Sequence, residues 1–555
     1  MRNTVSRGLG IFLLAAWLLP VSAPAADDVV MKAMRDELNR SMRQLQLEQL
    51  EKPYFISYRV QDRTSLDTSA TFGALLSGDI SHARYLTVQV RVGDYQRDNS
   101  NFLTDPPEAN GLTETVLLPV DDDYQELRRN IWLATDTAYK SALEMLSKKR
   151  AALQNRQARE NLLDFSKETP ATVLQPFAPI KMDLVQAEAL VRNLSAIFRQ
   201  SPEIYTSSAT LGISDTRSWY LNSEGSAVTE ESSAASLMAV AQTQAIDGTM
   251  LPDWVMDSAR SMEALPSESE LAAQVRTMAD RLTRVRRAPV VDRYNGPVLF
   301  DGAAGAEVLS QVFVPKLLAM RTPSFDNSQM EAYAAQRVSK FQDRLGARVL
   351  PNFLSLVDDP TQAAYQGVTL VGSRAVDDEG VAARPTTLVD KGFLKTLLNA
   401  RDPVSGIPQS TGSFRTFGAQ PSNLMVTVTE GVSEQELKDQ LLSMVKQRNK
   451  DFGVIVRGVG REIYKVYPDG HEELMRLGQF DGLDDTAFKD LAAVSRDLTV
   501  YNIPYAAYGG RLYPGRGAPL VSFVAPSLLF EDITLKPATG ELPRLPLSKH
   551  PFFDK

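Results

Sequence analysis

Three histidines, His82, His471 and His550, and no cysteine stand among the 555 residues, so the side chains that most readily hold zinc or act as nucleophiles are nearly missing. Without a thiolate there is no Cys–His pair and no cysteine-rich metal cage. His471 precedes Glu472, but Met475 and Arg476 stand where a His-Glu-x-x-His pattern needs its second imidazole. A Ser-His-Asp triad would need one of three scattered histidines beside an activated serine, and no G-x-S-x-G elbow occurs. Serine–lysine chemistry stays open, with no particular pair indicated. Three acidic runs, Asp121-Asp122-Asp123, Asp358-Asp359 and Asp377-Asp378-Glu379, offer oxygen ligands. None has the alternating ligands and closing bidentate glutamate of a calcium loop, so they read as solvated turns or helix starts. No G-x-G-x-x-G or Walker loop supports nucleotide binding, and no basic stretch interleaved with aromatics supports nucleic-acid binding. Trp132, Trp219, Tyr54 and Phe55 read as core and sheet-face aromatics. The tyrosine- and glycine-rich stretch Tyr501–Gly510 reads as a turn-rich linker, with a loop over a cleft as the alternative.

The chain that must position any such site is 43% apolar and 23% charged, with a formal net charge of −8, which suffices for at least two packed cores. Arg2 and Arg7 form a basic start, Leu9–Leu19 is apolar and uncharged, and Ala23-Pro24-Ala25 supplies small residues. This is the pattern of a cleavable export signal over residues 1–25. The apolar stretch is short for a permanent span, and no other stretch is long enough. The expected location is therefore periplasmic or secreted, with no stable membrane span after signal removal.

Residues 27–287 read as an N-terminal α/β domain with hairpins and long helices. Met31, Met34, Leu38, Met42 and Leu45 recur at helical spacing up to about Gln49. Tyr54–Val60 and Tyr85–Val92 read as strands, with Gly73, Ser77 and Gly78 in the loop or hairpin between them. A long helix is expected from about Tyr124 to Arg156, with Lys148, Lys149 and Arg150 on its solvated side. Asp183–Arg199 and Glu268–Val285 read as further helices, and Ser207–Val228 as a hairpin turning at Asn222-Ser223-Glu224-Gly225. From residue 288 to 555, short strands and Gly- or Pro-marked turns take over. Pro297–Phe300, Thr386–Val389, Met425–Val428, Gly453–Arg457 and Leu520–Ala525 are among them. They predict a β-rich, barrel- or sandwich-like C-terminal domain with few helices, and an α+β class for the whole.

The segments Gly296–Glu307, Val376-Asp-Asp-Glu-Gly380, Asn399-Ala-Arg401 and Ser410-Thr-Gly412 carry a resemblance to a known family. Arg91-Val-Gly-Asp94, Pro468–Arg476 and Ala525–Glu531 add to it. In order and spacing the chain resembles the TldD/PmbA family, also called TldD/TldE proteases or modulator of DNA gyrase proteins, in an exported branch. The resemblance implies a metallopeptidase scaffold. Active members carry His-Glu-x-x-x-His on a helix that opens the C-terminal domain, plus a distant cysteine. These hold Zn²⁺ and a water that the glutamate deprotonates. Matching that glutamate to Glu307 places Ala306 and Gln311 at the histidine positions; a register set on Ala303-Ala304-Gly305 places Leu309, Ser310 and Val314 at the three motif positions instead.

Neither register supplies an imidazole. Alanine has no lone pair, and a neutral amide oxygen is a poor zinc ligand, so no cofactor is expected here although zinc serves the active members. Glu307 is read as a vestigial general base, with a salt-bridged helix residue as the plainer assignment. By resemblance to the PmbA (TldE) subunit, the chain is expected to be a zinc-less partner of a zinc-bearing TldD-like paralogue, or a homodimer, or a binder of extended peptide segments. The alternatives are an active peptide hydrolase rebuilt around Glu307 and a non-catalytic structural protein of the bacterial envelope.

Overall fold

The computed structural model describes residues 28–47, 49–104, 113–154, 162–178, 180–291, 293–416, 418–476, 479–508, 511–512, 518–537, 546, 548 and 550–553. The expected export signal, residues 1–25, lies outside them.

Two strands of 19 residues each, Pro53–Thr71 and Ala74–Val92, open the first sheet. They run well past the limits expected from their β-formers, and the hairpin turns at Phe72 and Gly73, so Ser77 and Gly78 lie inside a strand. The extension carries only scattered apolar residues, Leu66 and Ala70 on one strand and Leu75, Leu76 and Ile80 on the other, without an unbroken apolar alternation, which is why composition hides it. In the seven-stranded sheet the order is Thr113–Leu118, Ala74–Val92, Pro53–Thr71, Ile204–Asn222 and Ala227–Gln244. Thr172–Leu174 and Met250–Ala259 both pair along the outer side of the last.

Ile56, Tyr58, Val60, Leu66 and Ala70 share one parity on their strand and are fully buried, so they line one face. At one end of that face pack the helices Val29–Gln44 and Tyr124–Leu153. At the other end pack Leu184–Ala196 and Glu268–Val285. Each helix begins where its sequence can satisfy free N–H groups: Asp123 caps the long helix through Gln125 and Glu126, and Ser267 with Glu270 forms a capping box. The sheet's other face, near Phe55 and Tyr220, meets the C-terminal half.

The C-terminal half is built on one strand, Leu520–Lys536, of 17 residues. One of its edges carries Asn423–Val428 and then Tyr294–Phe300; the other carries Leu491–Pro504 and then Gln479–Asp481. Val521 to Phe530 are buried without interruption, as expected of a strand covered on both faces. Pro526 interrupts the apolar run in sequence but not the strand, because it lies opposite Leu498 where the pairing register shifts. The resulting eleven-stranded sheet runs from Phe393–Leu394 to Glu472–Met475 and does not close into a barrel. A helix at Glu434–Gln447 covers it with Leu437, Leu441 and Val445.

Candidate functional site

Glu307 stands on the helix Ala303–Val308, which follows the strand Tyr294–Phe300 and continues into a π-helical turn at Leu309–Phe313. Gly305 lets this helix lie against the long strand, since a Cβ there would stand 2.2 Å from the Pro526 carbonyl oxygen. Ala306 is fully buried, Glu307 is 2% exposed, and Gln311 is exposed. Leu309, Ser310 and Val314, the residues of the alternative register, are buried in the same packing.

Both carboxylate oxygens of Glu307 are engaged by its own chain. Oε1 accepts from Arg461 Nη1 at 2.6 Å and from Gln311 Nε2 at 3.4 Å; Oε2 accepts from the Val459 N–H at 3.1 Å. Arg461 lies 4.5 Å from the Trp254 ring centre and 3.8 Å from Asp253. Asp253 takes two hydrogen bonds from Arg281, which reaches on to Glu462 at 2.8 Å. Charges alternate from Glu307 through Arg461, Asp253 and Arg281 to Glu462, crossing from one half of the molecule to the other twice.

This ladder borders a pocket lined by Trp254, Met256, Gln274, Thr277, Arg281 and Tyr501. Burial raises the Tyr501 hydroxyl above its usual range, with Glu307 raising it further and Arg461 opposing. Two strand edges reach the pocket. Met250–Ala259 pairs along one side only among the described residues, and so does the Leu498–Pro504 part of the strand Leu491–Pro504, whose earlier part bridges Val432 at Ser495.

The residues present do not fit zinc. Of the positions matched to the motif, one is a methyl group, one a neutral amide and one a carboxylate already held by a guanidinium and an N–H. His82 pairs with Asp62, His471 with Asp469, and His550 packs on Phe72, at separate places. Among the described residues no three His, Cys, Asp or Glu side chains converge as metal ligands.

A second polar cluster lies where the N-terminal sheet meets the C-terminal half. Arg91 donates to Asp98 at 2.7 Å and Arg401 pairs with Glu224 at 2.8 Å; both arginines are 1% exposed. Their guanidinium carbons lie 3.5 and 3.8 Å from the centre of the Phe165 ring. Lys149 is buried here as well. It donates to Asp164 at 2.5 Å and to the carbonyls of Ser100 and Asp98. Its expected place on the solvated side of the helix is thus corrected: the long helix turns this one lysine of the basic run inward, because a carboxylate and two carbonyls await it.

The acidic runs divide. Asp121, Asp122 and Asp123 are exposed, as read. Asp377-Asp378-Glu379 is not a solvated turn: Asp377 accepts the N–H groups of Glu379, Val381 and Phe414, and Asp378 pairs with Arg59 across the two halves. Asp358 is buried too, accepting the Ser422 N–H at 2.7 Å, and burial pushes its carboxyl up to about 6. In the stretch from Tyr501, Tyr501 belongs to a strand and Tyr505 is buried, donating to the Ser310 carbonyl. Gly509 and Gly510 lie outside the described residues. Reading the sequence missed Arg461, Asp253, Arg281 and Trp254. None belongs to a motif, and only Arg461, placed just after the turn glycine Gly460, carried a local hint.

Comparison with known proteins agrees with this architecture. Residues 293–537 match the family model described as the PmbA/TldA metallopeptidase C-terminal domain. A metalloprotease of Methanocaldococcus jannaschii is 32% identical over 205 residues, covering 34% of this chain and 44% of that protein. A metalloprotease of Methanothermobacter thermautotrophicus is 26% identical over 196 residues, 33% and 41% of the two chains. The match therefore spans less than half the length of these curated relatives. In fold, the crystal structure of TldE from Thermococcus kodakarensis aligns over 91% of this chain and all of its own, with a TM-score of 0.55 at 12% identity. Residues 293–537 thus carry the metallopeptidase-type C-terminal domain of the PmbA/TldA family, and the chain as a whole shares the fold of the TldE structure.

Proposed function

We propose that this chain is an exported, zinc-less member of its family that binds extended peptide segments without cutting them and pairs with a zinc-bearing paralogue. The observation that carries the reading is the state of Glu307. A general base needs a lone pair facing a water, and both of its oxygens are taken by Arg461, Gln311 and the Val459 N–H. Ala306 and Gln311 flank it where donors to a metal would be required. The pocket beside it supports peptide binding by strand addition. The one-sided edges of Met250–Ala259 and of Leu498–Pro504 border it, and Trp254 and Tyr501 offer aromatic surface to alternate side chains.

Elemental analysis of the mature protein, purified without chelator, tests the metal half of the reading. A zinc-to-chain ratio near zero in a cooperatively folding sample is expected; a ratio near one would overturn it. Fluorescence polarisation with a labelled extended peptide tests the binding half. Trp254→Ala is expected to weaken binding about tenfold, and unchanged affinity would move the site elsewhere.

A further inference from the structure

A cavity of about 230 Å³ lies between the two halves of the molecule, away from the Glu307 pocket. It is smaller than the roughly 300–1,000 Å³ of pockets that take drug-sized ligands. Its walls come from Asn99–Leu103 and Met145 on one side and from Leu318–Arg321, Asn399, Ala400, Asp402 and Tyr508 on the other. A short parallel pairing of Phe102–Leu103 with Ser324–Phe325 joins the two sides beside it.

Three charged side chains line this cavity: Arg321, which pairs with Asp164 at 3.2 Å, and Arg337 and Asp402, which have no such close ionic partner among the described residues. The Arg337 guanidinium packs 5.5 Å from the Tyr333 ring centre and has no carboxylate within ion-pair distance among the described residues. The Asp402 carboxylate, 37% exposed, has a single ion pair, with Arg91 Nη2 at 3.9 Å, and accepts no hydrogen bond among the described residues. Elsewhere at the junction of the two halves, ionic partners stand much closer: 2.7 Å for Arg91–Asp98, 2.8 Å for Arg401–Glu224 and 2.8 Å for Arg59–Asp378. A cation and an anion left without close partners in one small cavity are complementary to a ligand that carries both charges.

We propose that this cavity binds a small zwitterion of amino-acid to dipeptide size, its carboxylate paired with Arg337 and its ammonium with Asp402. Arginine suits the carboxylate because its planar fork can engage both oxygens. The proposal is independent of the peptide cleft at Glu307: either site can fail its own test without affecting the other.

Isothermal titration of the full mature chain with L-alanyl-L-alanine, its N-acetyl derivative and its C-terminal amide separates the two contacts. The free dipeptide is expected to bind, and each cap to weaken binding about tenfold. Arg337→Gln is expected to abolish the distinction between free acid and amide while keeping that between free and acetylated amine. Asp402→Asn is expected to do the reverse. Because the capped ligands discriminate on the wild-type chain alone, the test does not depend on either variant folding. Equal binding of free and capped forms, or no binding of any of them to the folded wild-type chain, overturns the proposal.

Discussion

Two of the ionic clusters that join the halves of the molecule differ in what else they touch. Around Phe165 the charges are sealed. Arg91, Arg401, Asp98 and Lys149 are all nearly inaccessible, and each is held by several donors or acceptors. Around Glu307 the carboxylate is equally buried, but its guanidinium partner borders an open pocket beside Trp254 and Tyr501. Both clusters neutralise charge within the chain; beside the first, the cavity is lined by Asn99–Asn101 and Asp402 and not by the paired arginines, whereas beside the second the paired Arg461 and Arg281 themselves line the pocket. Burial of a charged residue therefore does not by itself mark a working site here. What distinguishes the two places is whether the paired arginine itself lines the pocket that adjoins it.

Four changes would sharpen or break this contrast. The largest effect is expected from Arg401→Met in the sealed cluster, which strands Glu224 and the Ser166 carbonyl without their guanidinium. Removing one partner of a buried pair costs about 3–5 kcal/mol, measurable by chemical denaturation; a loss near that of a surface site would mean that the cluster is not sealed. Glu307→Gln should cost less, about 1.5–3 kcal/mol, since Arg461 keeps Trp254 and Asp253. It should leave peptide turnover at background, and loss of a measured cleavage activity in this variant would make Glu307 catalytic.

A smaller, pH-dependent effect is expected at Glu379. Burial, then Asp377 and Asp402, push its carboxyl from 4.5 up to about 8, against the pull of Arg401. The folded chain then binds more protons than the unfolded one between these values, so stability falls as pH rises through that window. Glu379→Gln removes the fall. It should melt about 2 °C above the parent at pH 9, for roughly 1 kcal/mol, and close to it at pH 5; a gain equal at both values would contradict the assignment. The smallest effect is expected from Lys140→Ala. Its pair with Asp136 lies on the exposed side of the long helix and should contribute under about 0.5 kcal/mol. A larger loss would show that exposed pairs matter as much as sealed ones.

Much of the scaffold was legible residue by residue. Glu268–Val285 is bounded as its capping box and apolar spacing predict, and the turn at Asn222–Gly225 falls where its residues place it. The helix Glu434–Gln447 was equally readable, from the Ser433–Glu436 box and the spacing of Leu437, Leu441 and Val445. The expectation of few helices in that half passes over it. The full length of the 19-residue hairpin strands was not readable, because their outer stretches carry few apolar residues and are held in register by neighbouring strands. At the site, Glu307, Ala306 and Gln311 were placed by resemblance, whereas Arg461, Asp253 and Arg281 could not be.

By itself, the sequence determined which chemistry is within reach: with no cysteine, no thiolate can hold a metal or act as a nucleophile, whatever the fold. It also determined the helices, since their caps and apolar spacing act within a few residues. Only the tertiary structure decided which charges are buried and with whom. Lys149 turns inward while Lys148 remains at the surface, and Glu307 meets Arg461 from 154 residues away. The reason is physical. Desolvation and pairing depend on which distant segments pack together, and no local pattern of residues carries that information.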